Sequence, residues 1–260
     1  MLFFVIPCVF LVGMMTALLV TQWDAVIQLR NLAVEGEPPV DEEAARRLLE
    51  IIAQWGETSP ADVAIEDLRA NLSEEQITGL LVHEVPLVRA CAVRALSAVG
   101  RRGCIAALLG RLSDREPVVR LLAGGAIQMI WLRLGTPEAN DLLAATRRAI
   151  THGRIGEAKE TVDAAIRESP DFAEAYNQRA IIYFEEGKFA LAAIDCEKAL
   201  SLMPRHYGAM AGLGRCLLRL DDEVGALAAF TLAKTINPNL QLETLITMLR
   251  LRIYQRPSAV

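Results

Sequence analysis

The side chains with catalytic potential are spread singly along this chain of 260 residues. His83 and Glu84 are not followed by the second histidine that a zinc-binding helix places one turn later. Residues 212–214 form a Gly-x-Gly without a third glycine, and the acidic turn at 221–223 lacks the ligand spacing of a calcium loop. Nucleophile elbows and phosphate loops are also missing from the sequence. We therefore predict no catalytic residue, metal site, cofactor or small-molecule substrate, and a protein that is not an enzyme.

The five cysteines occur at irregular spacing and without a Cys-x-x-Cys pair. Four of them fall where a helix would face its packing partner, which predicts buried free thiols at Cys91, Cys104, Cys196 and Cys216. Free thiols suit a reducing compartment better than an oxidising one.

Charge is unevenly distributed along the chain. Asp24 to Glu84 contains 4 arginines and 14 acidic residues, whereas Val85 to Gly135 contains 8 arginines and 2 acidic residues. These two blocks either neutralise one another or leave a basic face for an acidic protein or for lipid headgroups. Nucleic acid is not predicted as a partner, because the basic block lacks interleaved aromatic residues and any binding motif. The residues of the candidate basic face are Arg94, Arg101, Arg102, Arg111 and Arg115.

The first 20 residues carry no charge, and a helix of about 20 residues spans the hydrocarbon core of a bilayer. We predict a single-pass membrane anchor over residues 1–23, in contact with lipid, and a juxtamembrane segment over 24–40. Arg30 favours a cytoplasmic location for the remainder of the chain, with an extracytoplasmic location as the alternative. A cleaved signal peptide and a buried soluble helix are rival interpretations. The predicted membrane residues are Phe3, Phe4, Gly13, Thr16, Ala17 and Trp23.

The last third of the sequence repeats at a constant interval, marked by the equally spaced Pro170, Pro204 and Pro238. Small and large residues recur between these prolines, most clearly at Tyr176, Ala180, Tyr183, Gly187, Ala192 and Ala199. The interval and the pattern resemble the tetratricopeptide repeat (TPR), in which two helices per repeat bury their apolar faces only by stacking on neighbours. The resemblance implies a TPR domain over 136–257, with repeats at 137–170, 171–204 and 205–238 and a capping helix at 240–254.

In this family the first helix of each repeat lines the concave, partner-binding surface. The resemblance therefore implies a protein-binding face made of Asn140, Arg147, Asn177, Ile181, Glu185, Arg215 and Arg219. One subfamily grips the carboxylate of chaperone tails with lysine and asparagine, but the corresponding positions here are Leu143, Arg147, Gln178, Gly208 and Gly212. Binding of chaperone tails is therefore not predicted, although the three arginines would attract an acidic segment.

A second, shorter period relates the segment that begins at Pro86 to the segment that begins at Pro117. Proline at a first turn followed by apolar residues at helical spacing starts a helix cleanly. The pattern resembles HEAT repeats, in which arginine and aspartate hold neighbouring helices together, a structural role that the resemblance implies for Arg89, Arg120 and Asp114. We predict HEAT-like repeats over 41–135, with upstream helices near 41–55, 60–72 and 74–83.

Together these patterns predict an all-α fold, a right-handed solenoid of HEAT-like and then TPR helix pairs after one transmembrane helix. The predicted function is a membrane-anchored protein-interaction scaffold, an accessory subunit or assembly factor whose partners are membrane-bound proteins. Two alternatives stay open at this point. One is a tetrapyrrole or bilin lyase-like protein, suggested by the HEAT resemblance alone, and the other is a soluble exported adaptor.

Overall fold

The computed structural model describes residues 41–57 and 61–255, and this part of the chain is helical without any strand. This part of the chain divides into two compact units, unit 1 up to Ile127 and unit 2 from Gln128 onward, and the division falls inside one helix. The all-helical fold class is confirmed. The predictions for residues 1–40, including the anchor at 1–23, its six membrane residues and Cys8, lie outside the described residues.

The predicted localisation as a single-pass membrane protein needs correction. Among the helices in residues 41–57 and 61–255, none is long and apolar enough to cross a membrane. The longest of them has 16 residues, whereas a span needs about 20 predominantly apolar ones. We therefore do not propose a membrane location.

Unit 1 is built from short helices whose starts follow from local sequence. Ser73 accepts a hydrogen bond from the backbone of Gln76, whose side chain in turn accepts from the backbone of Ser73, a complete capping box. Pro86 opens one helix and Pro117 another, as the shorter period predicts. The helices are α1 (Glu42–Glu57), α2 (Ala61–Asn71), α3 (Glu74–Gly79), α4 (Pro86–Val99), α5 (Ile105–Arg111) and α6 (Pro117–Trp131).

A buried ion pair joins two turns of unit 1. Arg89 makes a two-pronged contact with Asp114, Nε to Oδ2 at 2.9 Å and Nη2 to Oδ1 at 2.8 Å. Arg89 also donates to the carbonyls of His83 and Glu84, and Arg120 donates to the carbonyl of Asp114. The predicted structural role of these arginines and of Asp114 is confirmed, because each closes a turn that precedes a proline-started helix.

After the end of α6, the described residues of unit 2 form three helix pairs and a last helix. The turns inside the three pairs each contain a residue with left-handed backbone, Gly153 (φ 69°), Gly187 (φ 75°) and Asp221 (φ 64°). Glycine adopts this conformation without strain, and aspartate tolerates it better than most residues. The pairs are α7 (Pro137–Thr151) with α8 (Ile155–Glu168), α9 (Ala173–Glu185) with α10 (Phe189–Leu202), and α11 (Tyr207–Arg219) with α12 (Glu223–Ile236), followed by α13 (Glu243–Gln255).

Small residues sit where these helices cross. Ala180, Ala192 and Ala199 are buried, as the repeat pattern predicts. At Gly214 the ring of Phe230 comes so close that an added Cβ would lie 2.7 Å from it. Small side chains at these crossings let the helix backbones approach, and large residues from the neighbouring helix fill the space. The prediction of buried free thiols is confirmed for Cys91, Cys104, Cys196 and Cys216.

Candidate interaction face

The first helix of each pair in unit 2 presents one stripe of residues at helical spacing. Residues one helical turn apart lie on one side of an α-helix, and equivalent positions in successive repeats are one repeat period apart. We call this stripe on α7, α9 and α11 the first-helix face. Its residues are Asn140, Leu143, Arg147 and Thr151 on α7, Glu174, Asn177, Ile181 and Glu185 on α9, and Gly208, Ala211, Arg215 and Arg219 on α11.

Exposure changes abruptly along the first-helix face. Leu143, Asn177 and Ala211, one on each helix, are only 0%, 9% and 5% exposed. The next residues along each stripe are exposed, and Ile181 is 40% exposed despite being apolar. We call the exposed C-terminal half, namely Arg147, Thr151, Ile181, Glu185, Arg215 and Arg219, the open strip. The buried half, namely Leu143, Glu174, Asn177 and Ala211, is the covered end.

Trp131, from the last turn of α6, packs against the start of α11. Its ring stacks on the imidazole of His206 with 3.8 Å between centroids and 18° between planes, and it meets Tyr207 at 4.8 Å. Gln128 hydrogen-bonds the Tyr207 phenol. Trp131 is 2% exposed, so a residue of unit 2 that precedes the first repeat is buried against the start of α11.

His206 and Glu174 form the polar centre of this packing. The Nδ1 atom of His206 accepts the backbone N–H of Ala209 and so caps α11, which leaves Nε2 to donate to the Glu174 carboxylate at 2.7 Å. Burial alone raises the pKa of Glu174. The hydrogen bonds from His206, Gln178 and Asn177 outweigh burial and hold the pKa of Glu174 below its ordinary value.

Two of the predicted partner-binding residues are used inside unit 2. The amide of Asn177 donates to Glu174, and Asn177 is 9% exposed. Asn140 holds the turn before α7, because its Oδ1 accepts the backbone N–H of Gly135 and its Nδ2 donates to the carbonyls of Arg133 and Gly135. Both asparagines therefore have structural partners, and neither belongs to the open strip.

The other five predicted residues all lie on the open strip. Within the described residues no carboxylate pairs with Arg147 or Arg219. The Arg219 guanidinium lies over the ring of Phe189, 4.1 Å from its centroid, which restricts its orientation. Arg215 is exposed one turn earlier on the same helix. The open strip thus combines three arginines with one glutamate, Glu185, one threonine and one apolar side chain.

The predicted basic face of unit 1 is not assembled as one exposed surface. The guanidinium of Arg94 lies over the ring of Trp55, 4.9 Å from its centroid, and burial lowers the pKa of Arg94. Arg111 pairs with Asp114 at 3.2 Å and donates to the carbonyl of Leu81. Only Arg101, Arg102 and Arg115 are exposed. Arg94 and Arg111 are therefore structural, since each packs on or pairs with a neighbouring element.

Sequence reasoning missed the packing of Trp131, His206 and Glu174. A signal existed for the last two, because Glu174 and His206 are separated by nearly one repeat period and so lie near the starts of equivalent helices in successive repeats. Trp131 precedes the repeats and belongs to no period. As for metal chemistry, the described residues contain no group of three histidine, cysteine, aspartate or glutamate side chains that would hold an ion.

Comparison with known proteins bears on unit 2. Residues 143–205 match the tetratricopeptide repeat family. A TPR repeat-containing protein of Rhizobium etli is 30% identical over 117 residues, which make up 45% of this chain and 57% of that protein. An SGT1 homolog of Oryza sativa subsp. japonica is 31% identical over 99 residues, 38% of this chain and 27% of that protein. This chain therefore matches only part of the length of either relative.

Among solved structures, the first TPR of Spaghetti (RPAP3) bound to the HSP90 peptide SRMEEVD aligns with a TM-score of 0.44 and 20% identity. The alignment covers 45% of this chain and 94% of that one. The family match and the TPR-containing relatives support a TPR protein, and TPR proteins mediate protein–protein interactions. The HEAT-like repeats of unit 1 stay a prediction.

Proposed function

We propose that this chain is a protein-interaction module that binds a segment of another protein on the open strip of unit 2. In this role it serves as a scaffold, accessory subunit or assembly factor of a larger protein complex. The observation that carries the proposal is the contrast within the first-helix face. The covered end is packed by the chain itself, whereas Arg147, Ile181 and Arg215 stay exposed on three successive repeats.

The chemistry of the open strip suits a protein segment better than a small molecule. Exposed charges on three separate helices provide orientation and fast association with an oppositely charged chain rather than a closed pocket. An excess of arginine favours carboxylates, which the planar guanidinium binds with two parallel hydrogen bonds. The proposal does not extend to a chaperone tail, because Leu143 is fully buried and Gly208 and Gly212 offer no side chain at the gripping positions.

We also propose HEAT-like repeats over 41–135, which precede the TPR domain proposed over 136–257. The support comes from the two proline-started helices, α4 and α6, and from the Arg89–Asp114 pair that closes the turns before them. Unit 1 then contributes a second helical module.

The test is affinity capture of the tagged full chain from its native cells, with quantitative mass spectrometry of the captured proteins. The variant of the open strip, which we call the strip variant, carries Arg147→Glu, Arg215→Glu and Arg219→Glu. The matched control reverses three exposed arginines of unit 1, with Arg101→Glu, Arg102→Glu and Arg115→Glu. Both variants change the net charge equally, so non-specific charge effects cancel in the comparison.

We expect the strip variant to capture at least about tenfold less of a stoichiometric partner than the wild-type chain. Each exposed ion pair contributes up to about 1 kcal/mol, and three arginines are reversed. The control variant should retain that partner. Equal retention by both variants, with both folded, would show that the open strip is not the binding surface.

A further inference from the structure

Three equivalent positions on the open strip form a row across the repeats. Arg147, Ile181 and Arg215 are each one repeat period apart, so they occupy the same place on α7, α9 and α11. With the spacing of about 8–10 Å that packed helices have, we place the two arginines about 20 Å apart and the exposed isoleucine about midway between them. This arginine–isoleucine–arginine row is the most regular pattern on the strip.

The neighbouring helices are held in this arrangement by their own packing. Ala139 and Leu143 of α7 share a buried cluster with Ala175 and Ile182 of α9. The hydrogen bond between Glu174 and His206 ties the start of α9 to the start of α11. Because these contacts fix the helices, the row is preorganised, which lowers the entropic cost of binding.

The covered end limits where a ligand can lie. Leu143, Asn177 and Ala211 are buried one turn before the three residues of the row. An occupant therefore crosses the helices along the row and does not extend toward the N-terminal ends of α9 and α11. On the other side, Glu185 lies one turn beyond Ile181 and is exposed, so it disfavours an acidic side chain at the centre of the row.

Resting on the proposed function, we infer that the partner segment is an extended peptide with an apolar side chain flanked by two carboxylates. An extended chain advances about 3.3 Å per residue, so about three residues cover the spacing between neighbouring helices. The recognised pattern is acidic–x–x–apolar–x–x–acidic. The acidic side chains pair with Arg147 and Arg215, and the apolar one packs on Ile181.

The test uses fluorescence polarisation of labelled nine-residue peptides with the full chain. The matched peptide has glutamate as its second and eighth residues, leucine as its fifth, and serine and glycine elsewhere. The scrambled peptide has the same composition with the two glutamates adjacent and the leucine at one end. We expect the matched peptide to bind at least fivefold more tightly than the scrambled one.

Variants of the chain then test which arginines the glutamates of the peptide contact. Arg147→Glu and Arg215→Glu should each weaken binding of the matched peptide about tenfold. Arg148→Glu is the matched control, because it is exposed, has the same charge and lies next to Arg147 on another side of α7. A peptide with one glutamate replaced by lysine should bind the wild-type chain weakly and the Arg147→Glu chain several-fold better.

Equal affinity of the matched and scrambled peptides would overturn the inference, because charge alone would then explain binding. Failure of both peptides to bind would also overturn it. In that case a partner that is captured from cells and lost by the triple arginine variant would leave the proposed function standing. If the triple arginine variant captures the partner as well as the wild-type chain does, the proposed function is wrong too.

Discussion

The imidazole of His206 donates a hydrogen bond to the carboxylate of Glu174, with 2.7 Å between Nε2 and Oε2, and both side chains are buried. The same imidazole caps α11 through the backbone N–H of Ala209. The His206 side chain therefore joins the second repeat to the third and also accepts a backbone N–H at the start of α11. Trp131 stacks on this imidazole and shields the pair from water. Through Glu174, this packing includes one residue of the covered end.

Glu174→Gln is expected to lower the free energy of unfolding at pH 7 by about 2 kcal/mol, because it removes a charged, buried hydrogen-bond acceptor. The pKa of Glu174 lies below its ordinary value of 4.5 in the folded chain. Its stabilisation is therefore complete above about pH 4.5 and is lost as the pH falls through the lower, folded-state pKa. Urea denaturation should show that the free energy of unfolding decreases less for the variant than for the wild type between about pH 5 and pH 3.

Glu185→Gln is the control for this prediction, since Glu185 is exposed on the same helix. It should change the free energy of unfolding at pH 7 by less than about 0.5 kcal/mol. If the free energy of unfolding falls equally with pH in the wild type and in the Glu174→Gln variant, the role assigned to the buried carboxylate is wrong.

Trp131→Ala is expected to lower the free energy of unfolding by about 3–4 kcal/mol, as for other buried large side chains. Trp131 is 2% exposed and contacts two residues of the third repeat. Met129→Ala, in the same helix at a position 46% exposed, should change the free energy by less than about 0.5 kcal/mol. Similar effects of the two substitutions in urea denaturation would show that Trp131 is not an integral part of unit 2.

Gly214→Ala tests the close approach of α11 and α12. The added methyl group would lie 2.7 Å from the ring of the fully buried Phe230, and overpacking of this kind costs about 1–3 kcal/mol. Gly156→Ala, in α8 with no atom within 4 Å of the added carbon, should instead stabilise by about 0.5 kcal/mol. If both substitutions shift the melting temperature in the same direction, the packing described for Gly214 is wrong.

Arg89→Met is expected to lower the free energy of unfolding by about 3 kcal/mol, because it leaves the buried Asp114 carboxylate without its two-pronged partner. Arg115→Met removes an exposed arginine next to Asp114 and should cost less than about 0.5 kcal/mol. Urea denaturation of both variants measures the difference. A cost below about 1 kcal/mol for Arg89→Met would show that Arg111 and the backbone hold Asp114 without it.

The repeat period predicted the helices of unit 2 closely. It placed the turn at Gly187 and the small contacts at Ala180 and Ala192, because the same packing requirement recurs in every repeat and leaves the same residue types. Asp221, which takes the place of glycine in the last turn, adopts the same left-handed conformation.

The division of the first-helix face did not follow from the repeats. Trp131, which packs on His206 and Tyr207 at the start of α11, precedes the first repeat and lies outside any period. Asn177 has the position of a groove residue in the repeat pattern, but its amide is used by the buried Glu174. A contact made once, between a repeated and an unrepeated segment, leaves no periodic signal in a single sequence.

Binding on the open strip is tested most directly by photo-cross-linking from the position of Ile181. A photoreactive phenylalanine derivative replaces Ile181 in the full chain, and the control places it at Ile194, which is 59% exposed on α10. We expect that position 181, and not position 194, yields a cross-link to a partner segment with carboxylates on both sides of the attachment point. Cross-linking from position 194 alone, or from neither position in cells that contain the partner, would contradict binding on the open strip.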